Sequence, residues 1–221
     1  MKQWLLICCL LIASPLNALN EQELAAVTRV ADYYGERAGK RMIAWRQLLT
    51  DVSAQQETAK LEAVNRFFNQ LHFVDDIQLW GETDYWATPL EFIGAAGGDC
   101  EDFTIAKYFS LRELGVADEK LRLVYVKALT LNQFHMVLAY YPEPHAVPVL
   151  LDNLIPEIKQ ATERQDLKPV YSFNASQLWL VKQQGQGQLA GKASRLKRWT
   201  NLRQRFDSQQ MHKPIIHLDQ D

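Results

Sequence analysis

Gly97-Gly98-Asp99-Cys100-Glu101-Asp102 runs directly into Phe103, Ile105, Ala106, Phe109, Leu111 and Leu114, apolar residues that surround a helix axis. A helix greasy on most sides is buried in its domain, and Gly115 is a natural residue to end it. The two glycines permit a sharp approach. Asp99 is a strong N-cap type, which leaves Cys100 at or near the first helical position. Unpaired backbone N–H groups and the helix dipole there favour a thiolate, the nucleophilic form of cysteine. Glu101 and Asp102 oppose that shift. Carboxylates crowded beside a nucleophile call for something cationic to be bound as well.

The chain has 221 residues, enough for one domain with a sizeable core. Its formal net charge of −2 gives no global case for nucleic-acid binding. Met1-Lys2, the apolar run over 4–13 and Ser14-Pro15-Leu16-Asn17-Ala18 read as a signal peptide over 1–18 cleaved after Ala18. An uncleaved anchor is the alternative, but the run is too short to span a bilayer comfortably; no transmembrane segment is expected after cleavage. Of the three cysteines, Cys8 and Cys9 leave with the signal. Cys100 then has no partner for a disulfide, and reactivity explains it better than stapling; a small buried residue is the plain alternative.

The mature chain opens with helical stripes. Leu24, Val27, Ala31 and Tyr34 form one, and Met42, Trp45, Leu49 and Val52 a second; both read as core. Leu61, Val64, Phe68 and Leu71 form a third, behind a capping-box pattern at Ser53-Ala54-Gln55-Gln56. Asp75-Asp76 and the loop through Trp80-Gly81-Glu82 read as a solvated turn rather than metal ligands. Thr88-Pro89-Leu90-Glu91 combines an N-cap type, a first-position proline and an acid, and predicts a short helix.

Strands follow the cysteine helix, over 121–127, 134–141 and 148–152. Within the second, His135 shares a face with Val137, Ala139 and Tyr141, because side chains alternate. If 142–147 is a symmetric connection, Tyr141 lies opposite Pro148 and Val137 opposite Asp152. Asp152 is then the diagonal neighbour of His135, about 7–8 Å away between backbone positions. A slip of one residue would break this arrangement. A cysteine nucleophile needs a base to take its proton, and the base needs an acceptor on its other nitrogen. Cys100, His135 and Asp152 supply those parts in that order. Each also has a structural reading, since a lone strand histidine is usually structural and Asp152-Asn153 suits a turn or cap. His72, His145, His212 and His217 lie in loops or near the tail and are weaker bases.

Gly-Gly-Asp-Cys-Glu-Asp-Phe at 97–103 stands with Trp86 and Thr88-Pro89-Leu90-Glu91 upstream. Downstream come Asn132-Gln133-Phe134-His135-Met136-Val137-Leu138 and Leu151-Asp152-Asn153. In combination these motifs resemble the bacterial transglutaminase-like cysteine proteinases, and within them the LapG group of periplasmic adhesin proteases. The resemblance implies a papain-like or transglutaminase-like α+β fold, with N-terminal helices and a central Cys-bearing helix packed on an antiparallel sheet. It implies Cys100 as nucleophile, His135 as base and Asp152 as the orienting carboxylate. It also implies calcium held by Asp99 and Glu101, with Asp102 a further candidate ligand. Calcium prefers carboxylate oxygens, and its charge would offset the acids beside the thiol.

Members of the group cut a very large repeat adhesin near its N-terminus, at a dialanine, and release cells from a biofilm. An inner-membrane receptor that binds cyclic-di-GMP sequesters them in the periplasm. The resemblance implies the same substrate, partner and location here. A transglutaminase-like acyltransferase using the same triad is the alternative, and an inactive binding module is disfavoured because all three catalytic residue types are present.

Beyond the triad, strands are expected over 169–174 and 177–181, followed by a glycine and glutamine linker over 183–191. The protease domain is drawn over 19–190. Residues 191–221, with Lys192, Arg195, Lys197, Arg198, Arg203 and Arg205, form a basic, part-helical tail whose charged face is read as solvated.

Overall fold

The computed structural model describes residues 19–181 and 187–219. The signal sequence expected over 1–18 lies outside the described residues. The described chain begins with three helices, α1 (Glu21–Tyr34), α2 (Glu36–Val52) and α3 (Glu57–Phe68). Asn20 and Glu23 close a reciprocal capping box on α1, which satisfies two otherwise orphaned N–H groups. Gly35, at φ 104°, makes the turn into α2. Val27, Met42, Trp45, Leu49, Leu61, Val64 and Phe68 are buried as their spacing predicts. Leu24, in the first turn of α1, stays half-exposed. Arg46 of α2 ties the layer together, with Nη2 at 2.6 Å from Glu23 Oε1. The capping box expected at 53–56 does not form. Ser53 remains helical at the end of α2 and donates its hydroxyl to the Thr50 carbonyl at 2.8 Å, while Gln56 caps α3 without a side-chain bond.

The strand β1 (His72–Phe73), the short helices α4 (Asp76–Leu79) and α5 (Pro89–Ala95) and the strand β2 (Gly97–Gly98) lead to the buried helix α6 (Cys100–Glu113). Then come β3 (Leu121–Ala128), β4 (Gln133–Tyr140), β5 (Val149–Leu151), β6 (Lys159–Gln160), β7 (Leu167–Phe173), β8 (Gln177–Val181) and β9 (Gly187–Lys192). These seven form one antiparallel sheet in the order β6-β5-β4-β3-β7-β8-β9. One face, with Leu121, Leu123, Met136, Leu138 and Phe173, packs into the core shared with the helices. Val124, Val126, Val137, Ala139 and Leu150 form a smaller cluster on the other face. The result is the mixed helix and antiparallel-sheet fold expected from the sequence.

Two features of this sheet position the chemistry. Leu138 pairs with Leu151 and Tyr140 with Val149, so the register continues to Asp152 opposite Val137, as the symmetric connection predicts. The pairing of β4 with β5 stops at Leu151, and the first two turns of α6, through Cys100 and Thr104, meet the backbone of β4 beyond it. Thr104 Oγ1 of α6 donates to the Met136 carbonyl at 3.0 Å.

The C-terminal segment differs from a linker and a solvated tail. Residues 187–192 pair with β8 as an edge strand, so the boundary drawn at 190 falls inside β9; residues 182–186 lie outside the described residues. Glycine at 187 has a packing reason, since a Cβ there would meet the Trp179 Cβ at 2.9 Å. The last helix, α7 (Lys197–Ser208), buries Trp199 and Leu202. The Trp199 ring lies 5.8 Å from Phe109 and 5.3 Å from Phe173, and Phe206 stacks on Phe109 at 4.4 Å. Trp199, Leu202 and Phe206 recur at helical spacing, an apolar side that the basic residues around it obscure. Replacing Trp199 by alanine should lower the unfolding free energy by about 3–5 kcal/mol in a denaturant titration. A loss under about 1 kcal/mol would show that α7 does not belong to the core.

Candidate active site

Local sequence brings Cys100 to its place. Thr88 and Glu91 close the predicted capping box on α5, and Ala96 leaves that helix in the left-handed region at φ 65°. Gly97 and Gly98 then pair in parallel with β1. A Cβ at Gly98 would sit 2.2 Å from Asp102 Oδ2, so the backbone passes the acid only as glycine. Asp99 is extended at φ −96° and caps α6, and Cys100 is the first helical residue. Asp99 Oδ1 accepts from the Glu101 N–H at 3.2 Å, and Asp102 Oδ2 from the Asp99 N–H at 3.3 Å.

Cys100 is free and buried. Its sulfur meets the Met136 backbone N–H, one residue from His135 on β4. Its own hydrogen bond runs to Glu101 Oε2 at 2.7 Å. Burial pushes the thiol well above its ordinary range, and the charges of Glu101 and Asp99 add to that shift. Of the two opposed influences at this helix entrance, the acids and burial outweigh the dipole while no cation is bound. Trp86 is a core residue stacked on Phe173 at 5.7 Å.

His135 and Asp152 meet as the register requires. His135 Nε2 lies 2.7 Å from Asp152 Oδ1, and both residues are buried. The same oxygen accepts from the Leu154 N–H at 3.0 Å, while Asp152 Oδ2 accepts from Arg164 Nη1 at 2.7 Å. Burial alone would raise the Asp152 carboxyl. His135, the Leu154 N–H and Arg164 outweigh it and hold the group down at about 2. Lys107 of α6 is buried as well, and desolvation draws its ammonium down to about 7 against the pull of Asp152.

The acids form a tighter group than spacing suggests. Carboxylate oxygens of Asp76, Asp99 and Asp102 all lie within 4.8 Å of one another, and atoms of Asp99, Cys100 and Glu101 do so too. Asp76 is therefore no solvated turn. It is buried, its Oδ2 accepts from the Tyr85 N–H at 2.5 Å, and its Oδ1 is a buried acceptor without a partner. The signal for it was weak, because Asp76 lies far from the cysteine motif in sequence. Burial, aided by neighbouring acids, raises Asp76 to about 7 and Asp99 to about 11, and drives Asp102 upward. This hard, anionic and partly unsatisfied set of oxygens fits a calcium-like cation.

A pH dependence follows for the cation-free protein. Asp76 and Asp99 bind protons more tightly folded than unfolded, so their contribution is complete below about pH 4 and is lost as pH rises, up to about 7 for Asp76 and on toward about 11 for Asp99. Asp152, held low, contributes constantly above about pH 4. Thermal unfolding of metal-free protein should therefore occur at higher temperature at pH 5 than at pH 8. An equal or reversed order would contradict the clustering of these acids.

The family model described as bacterial transglutaminase-like cysteine proteinase matches residues 39–188. The chain belongs to this family. Like its relatives, this proteinase has a transglutaminase-like fold and is a cysteine protease. A calcium-bound structure of Legionella pneumophila LapG is 43% identical to it, covering 83% of this chain and 98% of LapG with a TM-score of 0.72. An EGTA-treated structure of the same protein gives 42% identity, 83% and 96% coverage and a TM-score of 0.74. No curated protein gives a significant match to the proteinase.

Proposed function

We propose that this chain is a calcium-dependent periplasmic cysteine endopeptidase that cuts a large repeat adhesin near its N-terminus, with Cys100 as nucleophile, His135 as base and Asp152 as the orienting acid. The buried 2.7 Å contact between His135 Nε2 and Asp152 Oδ1, on the strand that also touches the Cys100 sulfur, carries this reading. His135 takes the proton of Cys100, and the thiolate attacks the scissile carbonyl. The backbone N–H of Cys100, at the first turn of α6, helps to hold the developing oxyanion. His135 returns the proton to the leaving amine, and a thioester forms on Cys100. Water, deprotonated by His135, then hydrolyses it. Asp152 stays ionised throughout and fixes the tautomer of the ring.

Asp76, Asp99, Asp102 and Glu101 are the residues that would hold calcium. When bound, the ion supplies positive charge that offsets these acids beside the thiol. The donor set supports this assignment, as do the calcium-bound and EGTA-treated forms of the related LapG. The adhesin, the biofilm role, the periplasm and the cyclic-di-GMP receptor rest on the resemblance and on the signal-like N-terminus. Among the described residues no helix is long and apolar enough to cross a membrane.

The test is incubation with the N-terminal segment of the giant repeat adhesin from the same genome, in the presence of a labelled amine. The expected result is two peptide fragments with a free carboxylate at the cut. Label incorporated into an uncut glutamine substrate would instead establish acyl transfer. Adding the periplasmic part of the membrane receptor should suppress cleavage, and undiminished cleavage would reject that partner.

A further inference from the structure

Arg164 is not part of the triad, yet it is 3% exposed and its side chain is directed at the triad's acid. It follows the short 3-10 turn Ala161–Glu163 between β6 and β7. Nη1 donates to Asp152 Oδ2 at 2.7 Å, while Nε and Nη2 donate to Asp166 Oδ1 and Oδ2 at 3.0 and 2.9 Å. The guanidinium therefore bridges two carboxylates, one buried and one part-exposed. Asp152 has both oxygens engaged, one by His135 and the Leu154 N–H and the other by Arg164. Its carboxylate plane is fixed from both ends. Without Arg164, Oδ2 would be a buried anionic oxygen lacking its partner, and rotation or protonation would relieve it. Rotation withdraws Oδ1 from the imidazole, and protonation removes the negative charge that stabilises the imidazolium.

We infer that Arg164 is a positioning residue, clamped by Asp166, that holds the Asp152 carboxylate in the orientation His135 requires. The inference rests on the triad reading above and extends the constellation to a chain of four groups, Asp166, Arg164, Asp152 and His135. The planar guanidinium suits this task, because its two edges hold two carboxylates in one geometry. Its burial separates it from any direct role in binding substrate.

The experiment compares Arg164→Met, Arg164→Lys, Asp166→Asn and Asp152→Ala in steady-state cleavage of the adhesin segment, each checked for folding by thermal melting. Arg164→Met should lower kcat about 10- to 100-fold with KM within about twofold, the signature of a misdirected catalytic group. Arg164→Lys should recover part of the loss through its single bond to Asp152. On an Asp152→Ala background, Arg164→Met should cost nothing further in kcat, because the arginine acts through that acid. A folded Arg164→Met with wild-type kcat, beside an inactive Asp152→Ala, overturns this inference and leaves the triad standing. A fully active Asp152→Ala overturns the triad reading itself, whereas asparagine there would keep an acceptor for the imidazole. Should Arg164→Met fail to fold, Asp166→Asn decides. A fall in kcat of about 3- to 10-fold at constant KM supports the clamp, and wild-type kcat overturns it.

Discussion

Alanine at position 100 should abolish cleavage, with a loss of at least about 10⁴-fold in kcat and no loss of fold. The size follows from the mechanism. In the proposed mechanism the bond-forming atom is the Cys100 sulfur, and groups acting as one unit lose nearly all their effect when the nucleophile goes. The fold should survive because Cys100 contributes one small side chain at the end of a helix held along its length by Phe103, Ile105 and Leu111. Mass spectrometry of the adhesin segment after incubation with Cys100→Ala is the measurement. Intact cleavage would remove the cysteine mechanism for this reaction.

Chelation should produce the second-largest effect. Atoms of Asp99, Cys100 and Glu101 lie within 4.8 Å of one another. A unit charge at that range raises the cost of a thiolate by about 3 kcal/mol at an effective dielectric constant near 20. Without a compensating cation, such a charge lowers the reactive fraction of Cys100 at neutral pH. EGTA is therefore expected to reduce cleavage by at least about 100-fold, and excess calcium to restore it. Asp99→Ala and Glu101→Ala should lower activity while leaving the melting transition cooperative. Full activity in chelator would take the metal out of the mechanism. The rate at which iodoacetamide alkylates Cys100 offers a substrate-free check, and it should fall with chelation and recover with calcium.

The parts of the site that were legible in the sequence are those that local rules determine. The α5 capping box, the Asp99 cap and the position of Cys100 at the helix start follow from residues within four places of one another. The placing of Asp152 beside His135 followed from alternation and a symmetric connection, because a strand register leaves few choices once one face is buried. Arg164 and Asp76 were not legible. Each meets the site only after β6 and β7, or α4 and the loop to α5, have packed, and nothing in their own neighbourhood of sequence marks them. The buried side of α7 was masked for a different reason. Four basic residues, Lys197, Arg198, Arg203 and Arg205, dominate its composition, while Trp199, Leu202 and Phe206 set its packing.

β5 ends at Leu151, and that early ending has a larger effect than its length suggests. Had the ladder run two residues further, its backbone would fill the berth where α6 docks, and Asp152 would be one more rung. The protein keeps its reactive groups at the margin where strand pairing gives out, so the reach of one short strand sets whether there is room for catalysis at all.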